Sequence, residues 1–155
     1  AYGQEDYNLY DGNGQADWGY NAISNGGNTE NSGWRTLTND EWAYVFNNHT
    51  IGWSTVAGVG GYVIRPDGVE TAVASSYAAE AWATEEAAGS VFLPAAGNRN
   101  GTSVDVAGGY GYYWSSSYGS SVYARYVYFV GGYLSAVDGN YRNYGFSVRL
   151  VRSAQ

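Results

Sequence analysis

Ala124-Arg125-Tyr126-Val127-Tyr128-Phe129-Val130 decides the architecture. In a strand, successive side chains point to opposite faces, so Val127 and Phe129 share one side while Tyr128 and Val130 take the other. A core needs one such apolar face. The opposite, tyrosine-bearing face is left for solvent or a ligand. Around this strand, residues 110–146 hold ten of the 17 tyrosines, and Gly and Ser fill much of the remainder. Antibody paratopes share that make-up, because Tyr offers a large contact area at low entropic cost and Ser and Gly adapt to shape. Strand propensity alone also enriches Tyr. Tyr112–Ser116 and Phe146–Arg152 are the neighbouring strand candidates.

Upstream, Thr38-Asn39-Asp40-Glu41 has the spacing of a capping box, and Leu37 can staple onto Trp42. Trp42, Val45 and Phe46 follow at helical spacing, with Asn47-Asn48 ending the run. Residues 56–65 read as one strand closed by a Pro66-Asp67-Gly68 turn. Ala78–Ala88 reads as a second helix stopped by Gly89. Ser90–Leu93 is extended, and 98–103 is a polar loop. Residues 1–33 read as long loops with short strands. Two helices with short, mostly antiparallel strands and long loops define an α+β class, and no linker divides 1–155.

Composition excludes several functions. Formal charge is −7, and all seven cations are Arg without a basic cluster, which argues against nucleic-acid binding. Cys is absent, which removes disulfides, thiolate catalysis and thiolate metal sites. No apolar run approaches the length of a membrane-spanning helix. His49, the single histidine, reads as a solvated helix-end residue. Glu85 and Glu86 are helix neighbours whose side chains diverge. Asp11–Asp17 alternates oxygen ligands, but Ala16 and Ala22 stand where a calcium loop needs Gly and a bidentate acid. The glycines of Gly58–Tyr62 lack the spacing of a dinucleotide fingerprint. The sequence therefore offers no catalytic residues, no metal and no cofactor.

Four blocks go further: NAISNGGNTENSGWRTLTNDEWAYVFN (21–47), GSVFLPAAGNRNGTSV (89–104), YWSSS (113–117) and GFSVRLVR (145–152). Over residues 17–152 the chain resembles a family of exported bacterial domains with the C-type lectin fold in its formylglycine-generating-enzyme-like form. Within that family it is similar to the variable proteins of diversity-generating retroelements, in which adenine-directed mutagenesis rewrites chosen codons. The resemblance implies that Trp114, Ser115, Ser116, Gly145, Ser147, Val148, Arg149 and Leu150 are scaffold. The same resemblance makes 110–146 the candidate variable region. Its binding residues would be Tyr112, Tyr118, Tyr123, Arg125, Tyr126, Tyr128, Tyr133, Asp138, Asn140, Tyr141, Asn143, Tyr144 and Phe146. Adenine substitution in an Asn codon never yields Glu, Gln, Lys or Met, and 110–146 contains none of these. A low-charge β face would look the same.

The implied function is non-enzymatic: an adhesin or tropism module, C-terminal in a longer surface protein. It would be displayed extracellularly on a bacterial appendage or a phage receptor-binding tip, and it would meet a protein or glycan on another surface. The alternative is a fixed, undiversified surface domain of the same family with a structural or carbohydrate-binding role. The enzyme that shares this fold uses cysteines, which this chain lacks. The scaffold role implied for Arg149 makes it partly buried and paired with a carboxylate or backbone carbonyls; Trp114→Ala is expected to be costly if that ring is core, and Gly145→Val to fail if the chain turns there with positive φ. From the failed calcium loop, ligand binding and melting temperature are expected to survive a chelator. A thermal melt with and without the chelator checks this, and a drop of several degrees would contradict it.

Overall fold

A computed structural model describes residues 34–152; the expectations for residues 1–33, including the Asp11–Asp17 turn, lie outside the described residues. Strand β1 (Arg35–Thr36) leads into helix α1 (Asn39–Asn48), which starts on the capping box that its spacing predicts. The Thr38 hydroxyl accepts from the Glu41 amide at 3.2 Å, and the Glu41 carboxylate accepts from the Thr38 amide at 2.9 Å. Two amides that a helix start leaves orphaned are thereby satisfied. Arg35 holds the same carboxylate through two nitrogens at 2.6 and 2.7 Å. That grip keeps the Glu41 carboxyl below the usual carboxylate range. Trp42 and Phe46 are buried, and Leu37 and Val45 pack against the same core.

His49 ends the helix as expected, but it is not solvated. Its Nδ1 lies 2.9 Å from the Val45 carbonyl. Its Nε2 lies 3.0 Å from the Asp67 carboxylate, and the side chain is only 16% exposed. The Pro66–Gly68 turn thus closes over the helix end.

The single strand expected over 56–65 is instead part of a hairpin, β2 (Ile51–Val56) with β3 (Val59–Ile64). The chain reverses at Ala57-Gly58, where both φ angles are positive, 48° and 87°. Two such residues make the tight turn that matches strand twist. Ala57 lacks the Asn or Asp that announces this turn, so the reversal left no sequence signal. Strand β4 (Ser76–Tyr77) pairs parallel with β2. Helix α2 (Ala79–Ala87) follows and ends before Gly89. Strand β5 (Val91–Pro94) completes a sheet of order β4-β2-β3-β5. Alternation along β3 sends Tyr62 and Ile64 to the central core and Val63 to a second cluster with Val56 and Tyr77. Trp82 of α2 covers that second cluster, its ring 5.9 Å from Tyr77 and 5.7 Å from Phe92.

The polar loop expected at 98–103 is a short hairpin, β6 (Asn98–Asn100) and β7 (Ser103–Asp105). Three longer strands follow as a meander of order β10-β9-β8: β8 (Tyr110–Tyr118), β9 (Tyr123–Val130) and β10 (Tyr133–Tyr141). The strand expected over 146–152 shrinks to β11 (Leu150–Val151), which pairs with β1. Ahead of it, Ser147 runs parallel to β8; its amide donates to the Tyr112 carbonyl at 2.9 Å. The fold is therefore α+β with mostly antiparallel strands.

The inner face of the meander supplies Tyr113, Val127 and Phe129 to the central core, against Trp42, Tyr62 and Leu93. Phe129 lies opposite Gly111 and is fully buried. A Cβ on Gly111 would overlap the Phe129 ring. Gly111→Ala is therefore expected to cost roughly 1–3 kcal/mol or more through overpacking, and Phe129→Ala roughly 3–5 kcal/mol. Gly131→Ala, at an exposed turn with ordinary φ, is expected to stay within about 0.5 kcal/mol. Urea denaturation of the three variants checks the order.

Candidate functional site

With Val127 and Phe129 turned inward, Tyr126 and Tyr128 of β9 must face outward. Their partners across the ladder do the same. Trp114 and Tyr112 of β8 stand opposite Tyr126 and Tyr128, and Tyr110 stands opposite Val130. From β10, Tyr133, Ser135 and Asp138 stand opposite Val130, Tyr128 and Tyr126. Phe146 lies against this face from the segment after β10. Its ring centroid is 4.2 Å from Trp114 and 4.9 Å from both Tyr112 and Tyr126. Tyr144 touches Phe146 at 5.9 Å, Tyr110 touches Tyr128 at 6.0 Å, and Tyr128 touches Tyr133 at 5.9 Å. The result is one continuous layer of eight rings on the outside of the sheet.

The layer grades from buried to open. Tyr126 is 9% exposed and Tyr133 is 54% exposed, with Tyr112, Trp114 and Tyr128 between them. Burial pushes the Tyr126 phenol up to about 12, helped by the nearby Asp138 carboxylate and opposed by a hydrogen bond from Asn140. Burial also raises Tyr112 and Tyr128, reinforced by the neighbouring phenols. Tyr112, Tyr126 and Tyr128 therefore present neutral hydroxyls at physiological pH.

Of the thirteen binding residues expected from sequence, Tyr112, Tyr126, Tyr128, Tyr133, Asp138, Asn140, Tyr144 and Phe146 belong to this face. Five stand apart from the ring layer. Arg125 follows the parity of Val127 and donates to the Val137 carbonyl at 3.2 Å. Tyr123 and Tyr141 face each other at 4.9 Å and share a hydrogen bond that raises the Tyr123 phenol. Tyr118 carries the Arg142 guanidinium 5.5 Å from its ring centroid. Asn143 is exposed beyond the end of β10. Tyr110, absent from the expected set, belongs to the layer. Its signal was available, because 110, 112 and 114 share parity.

Three scaffold expectations need correction. The Trp114 ring is half-buried in the outer layer rather than in the core. Tyr113 takes the core position and donates to the Pro94 carbonyl at 2.9 Å, so its neighbour has to face outward. Gly145 does not turn with positive φ. It exchanges backbone hydrogen bonds with Arg99 at 2.8 Å, and a Cβ there would sit 3.0 Å from the Arg99 Cβ. Arg149 is exposed and has no ion pair or hydrogen bond among the described residues. The reason is that only Leu150 and Val151 pair as a strand, which leaves Arg149 at the rim of a cavity of about 380 Å³ beside Trp34, Leu37 and Trp42.

The serines after Trp114 do hold the scaffold. Ser115 donates to the Arg125 carbonyl at 3.1 Å, and Ser116 donates to the Thr36 carbonyl at 3.2 Å. The Ser117 hydroxyl accepts from the Asn39 amide at 2.9 Å, at the start of α1. These bonds fasten the aromatic sheet to the helix entry.

Residues 68–151 match a family described as a domain of unknown function (DUF8237), and the chain belongs to that family. The matched span contains the entire meander. No curated protein and no solved structure matches the chain.

A phenol whose folded pKa exceeds its unfolded value of about 10 contributes stability that is complete below pH 10 and is lost as pH rises through the folded value. With Tyr113 and Tyr126 both near 12, stability is expected to fall between pH 10 and 12. Tyr126→Phe is expected to make that fall shallower. Urea midpoints measured across this range check it, and an unchanged slope would contradict it.

Proposed function

We propose that this chain is a non-enzymatic recognition module that presents a tyrosine-rich binding face on a C-type lectin scaffold, of the kind diversified by retroelements. The observation that carries the reading is the division of labour in one sheet. Its inner residues are core, while its outer residues form a continuous, half-open ring layer. Tyr rings have few rotatable bonds, so a layer already packed ring against ring loses little further freedom on binding. The exposed Tyr133 and the half-buried Tyr110 and Tyr128 are the anchors, and Asn140 and Asp138 supply polar specificity. Among the described residues the face carries no imidazole and one carboxylate, Asp138, which suits contact rather than proton transfer. An extracellular site on a bacterial or phage surface belongs to the same proposal, as does a partner on another surface.

Sequencing this gene from many isolates of its source tests the reading. Differences are expected at codons for outer-face positions such as 112, 126, 128, 133, 138 and 140, as adenine substitutions, with a near-identical template repeat nearby. Codons 113, 127 and 129 are expected to stay fixed. Variation spread evenly over both sheet faces would overturn the proposal.

A further inference from the structure

Among the described residues the ring layer has one charged member, and none of them supplies it with a counter-ion. Asp138 stands opposite Tyr126, close enough for its charge to act on Tyr126 and Tyr128. Among the described residues no ion pair or hydrogen bond reaches its carboxylate. Two arginines of the same sheet and the segment after it make contacts elsewhere. Arg125 is bonded to the Val137 carbonyl. Arg142 lies over Tyr118 and donates to the Ser120 carbonyl at 2.8 Å.

We propose that the aromatic face binds a cationic partner, an arginine-bearing peptide segment whose guanidinium stacks on the half-open Tyr128 ring and pairs with Asp138. This rests on the aromatic face being the binding face. Aromatic faces carry the negative end of the ring quadrupole and attract cations. A carboxylate amid such rings adds to the same sign of potential. Guanidinium suits the place better than ammonium, because it stacks flat and can bond a carboxylate through two nitrogens. The net charge of −7 favours approach of such a partner.

The sheet edge directs this partner to the face. Among the described residues strand β10 pairs with β9 alone, and no described strand lies on its other edge. Yet side chains already occupy several of its backbone groups. The Ser135 hydroxyl accepts from the Val137 amide at 3.5 Å, Arg125 holds the Val137 carbonyl, and Asn140 accepts from the Tyr141 amide at 2.8 Å. An added strand would have to displace these contacts. The ring layer presents no such obstacle.

Calorimetric titration of the full chain with an acetylated hexa-arginine amide and its neutral hexa-citrulline counterpart tests the proposal at about 0.15 M salt. The arginine peptide is expected to bind at least about tenfold more tightly than the citrulline peptide. Asp138→Asn is expected to remove most of that difference. Glu86→Gln makes the same change in net charge on the exposed face of α2, and it is expected to alter affinity less than about twofold. Equal losses from Asp138→Asn and Glu86→Gln would reduce the effect to bulk charge and overturn the inference, as would absence of binding. If the citrulline peptide binds as well and Tyr128→Ser with Tyr133→Ser abolishes it, the cationic preference falls while the binding face stands. If that double substitution leaves arginine-peptide binding unchanged, both fall.

Discussion

Phe129 pressed onto Gly111 is the contact on which the rest of the molecule depends. The ring occupies the space that any side chain at position 111 would need, so the two strands can approach in one register only. Around that ring the core assembles from aromatic neighbours: Tyr62 at 5.1 Å, Tyr113 at 5.9 Å and Trp53 at 6.4 Å. Tyr62 and Trp53 belong to the other sheet, and Tyr113 reaches Trp42 of α1 at 6.5 Å. One residue therefore couples both sheets, and through Tyr113 the helix. Because side chains in a strand alternate, fixing Phe129 inward also fixes Tyr128 outward. The outer aromatic layer follows from the core by geometry.

Positions within the ring layer are not equivalent. Phe146 touches Tyr112, Trp114, Tyr126 and Tyr144, and its removal would unsupport several rings at once. Tyr133 makes a single ring contact, with Tyr128, and is half open to solvent. Substitution at the rim therefore disturbs few neighbours, whereas substitution at such a hub disturbs many. Tyr126 is the intermediate case. It is buried, yet it stands opposite Asp138 and hydrogen-bonds Asn140, two polar residues of the same face. Buried aromatic residues of this kind bind little by themselves and hold exposed neighbours in place.

What could be read from sequence depended on how local the cause was. The α1 cap needs only four residues, and the helix stop at Gly89 needs one; both are as their local chemistry predicts. The faces of β9 were legible because alternation survives without interruption along that strand. The Ala57-Gly58 reversal was not, since Ala57 adopts a backbone conformation that its side chain does not favour. Trp114 was misplaced because size and apolarity suggested core, while Tyr113 beside it had already claimed that side of the strand. Arg149 was misplaced because a strand was read through seven residues, whereas ladder pairing with β1 starts only at Leu150. Pairing partners, rather than residue type, decided both cases.

The charge in the ring layer was the least legible feature, and it arises from a break in register. Along β10, Leu134 lies opposite Phe129 and Ser135 opposite Tyr128. Uninterrupted alternation would put Val137 opposite Tyr126 and turn Asp138 toward the core side. Instead the register shifts between Ser135 and Asp138, inserting one residue and reversing every later side chain. Asp138 and Asn140 then join the face to which Tyr133 and Ser135 already belong, and Ala136 packs against the core. In that uninterrupted register Asp138 would stand opposite Arg125, on the side of the sheet that carries Val127. The bulge takes the carboxylate away from that guanidinium and turns it among the rings. Among the described residues it gives the aromatic surface its one acidic group.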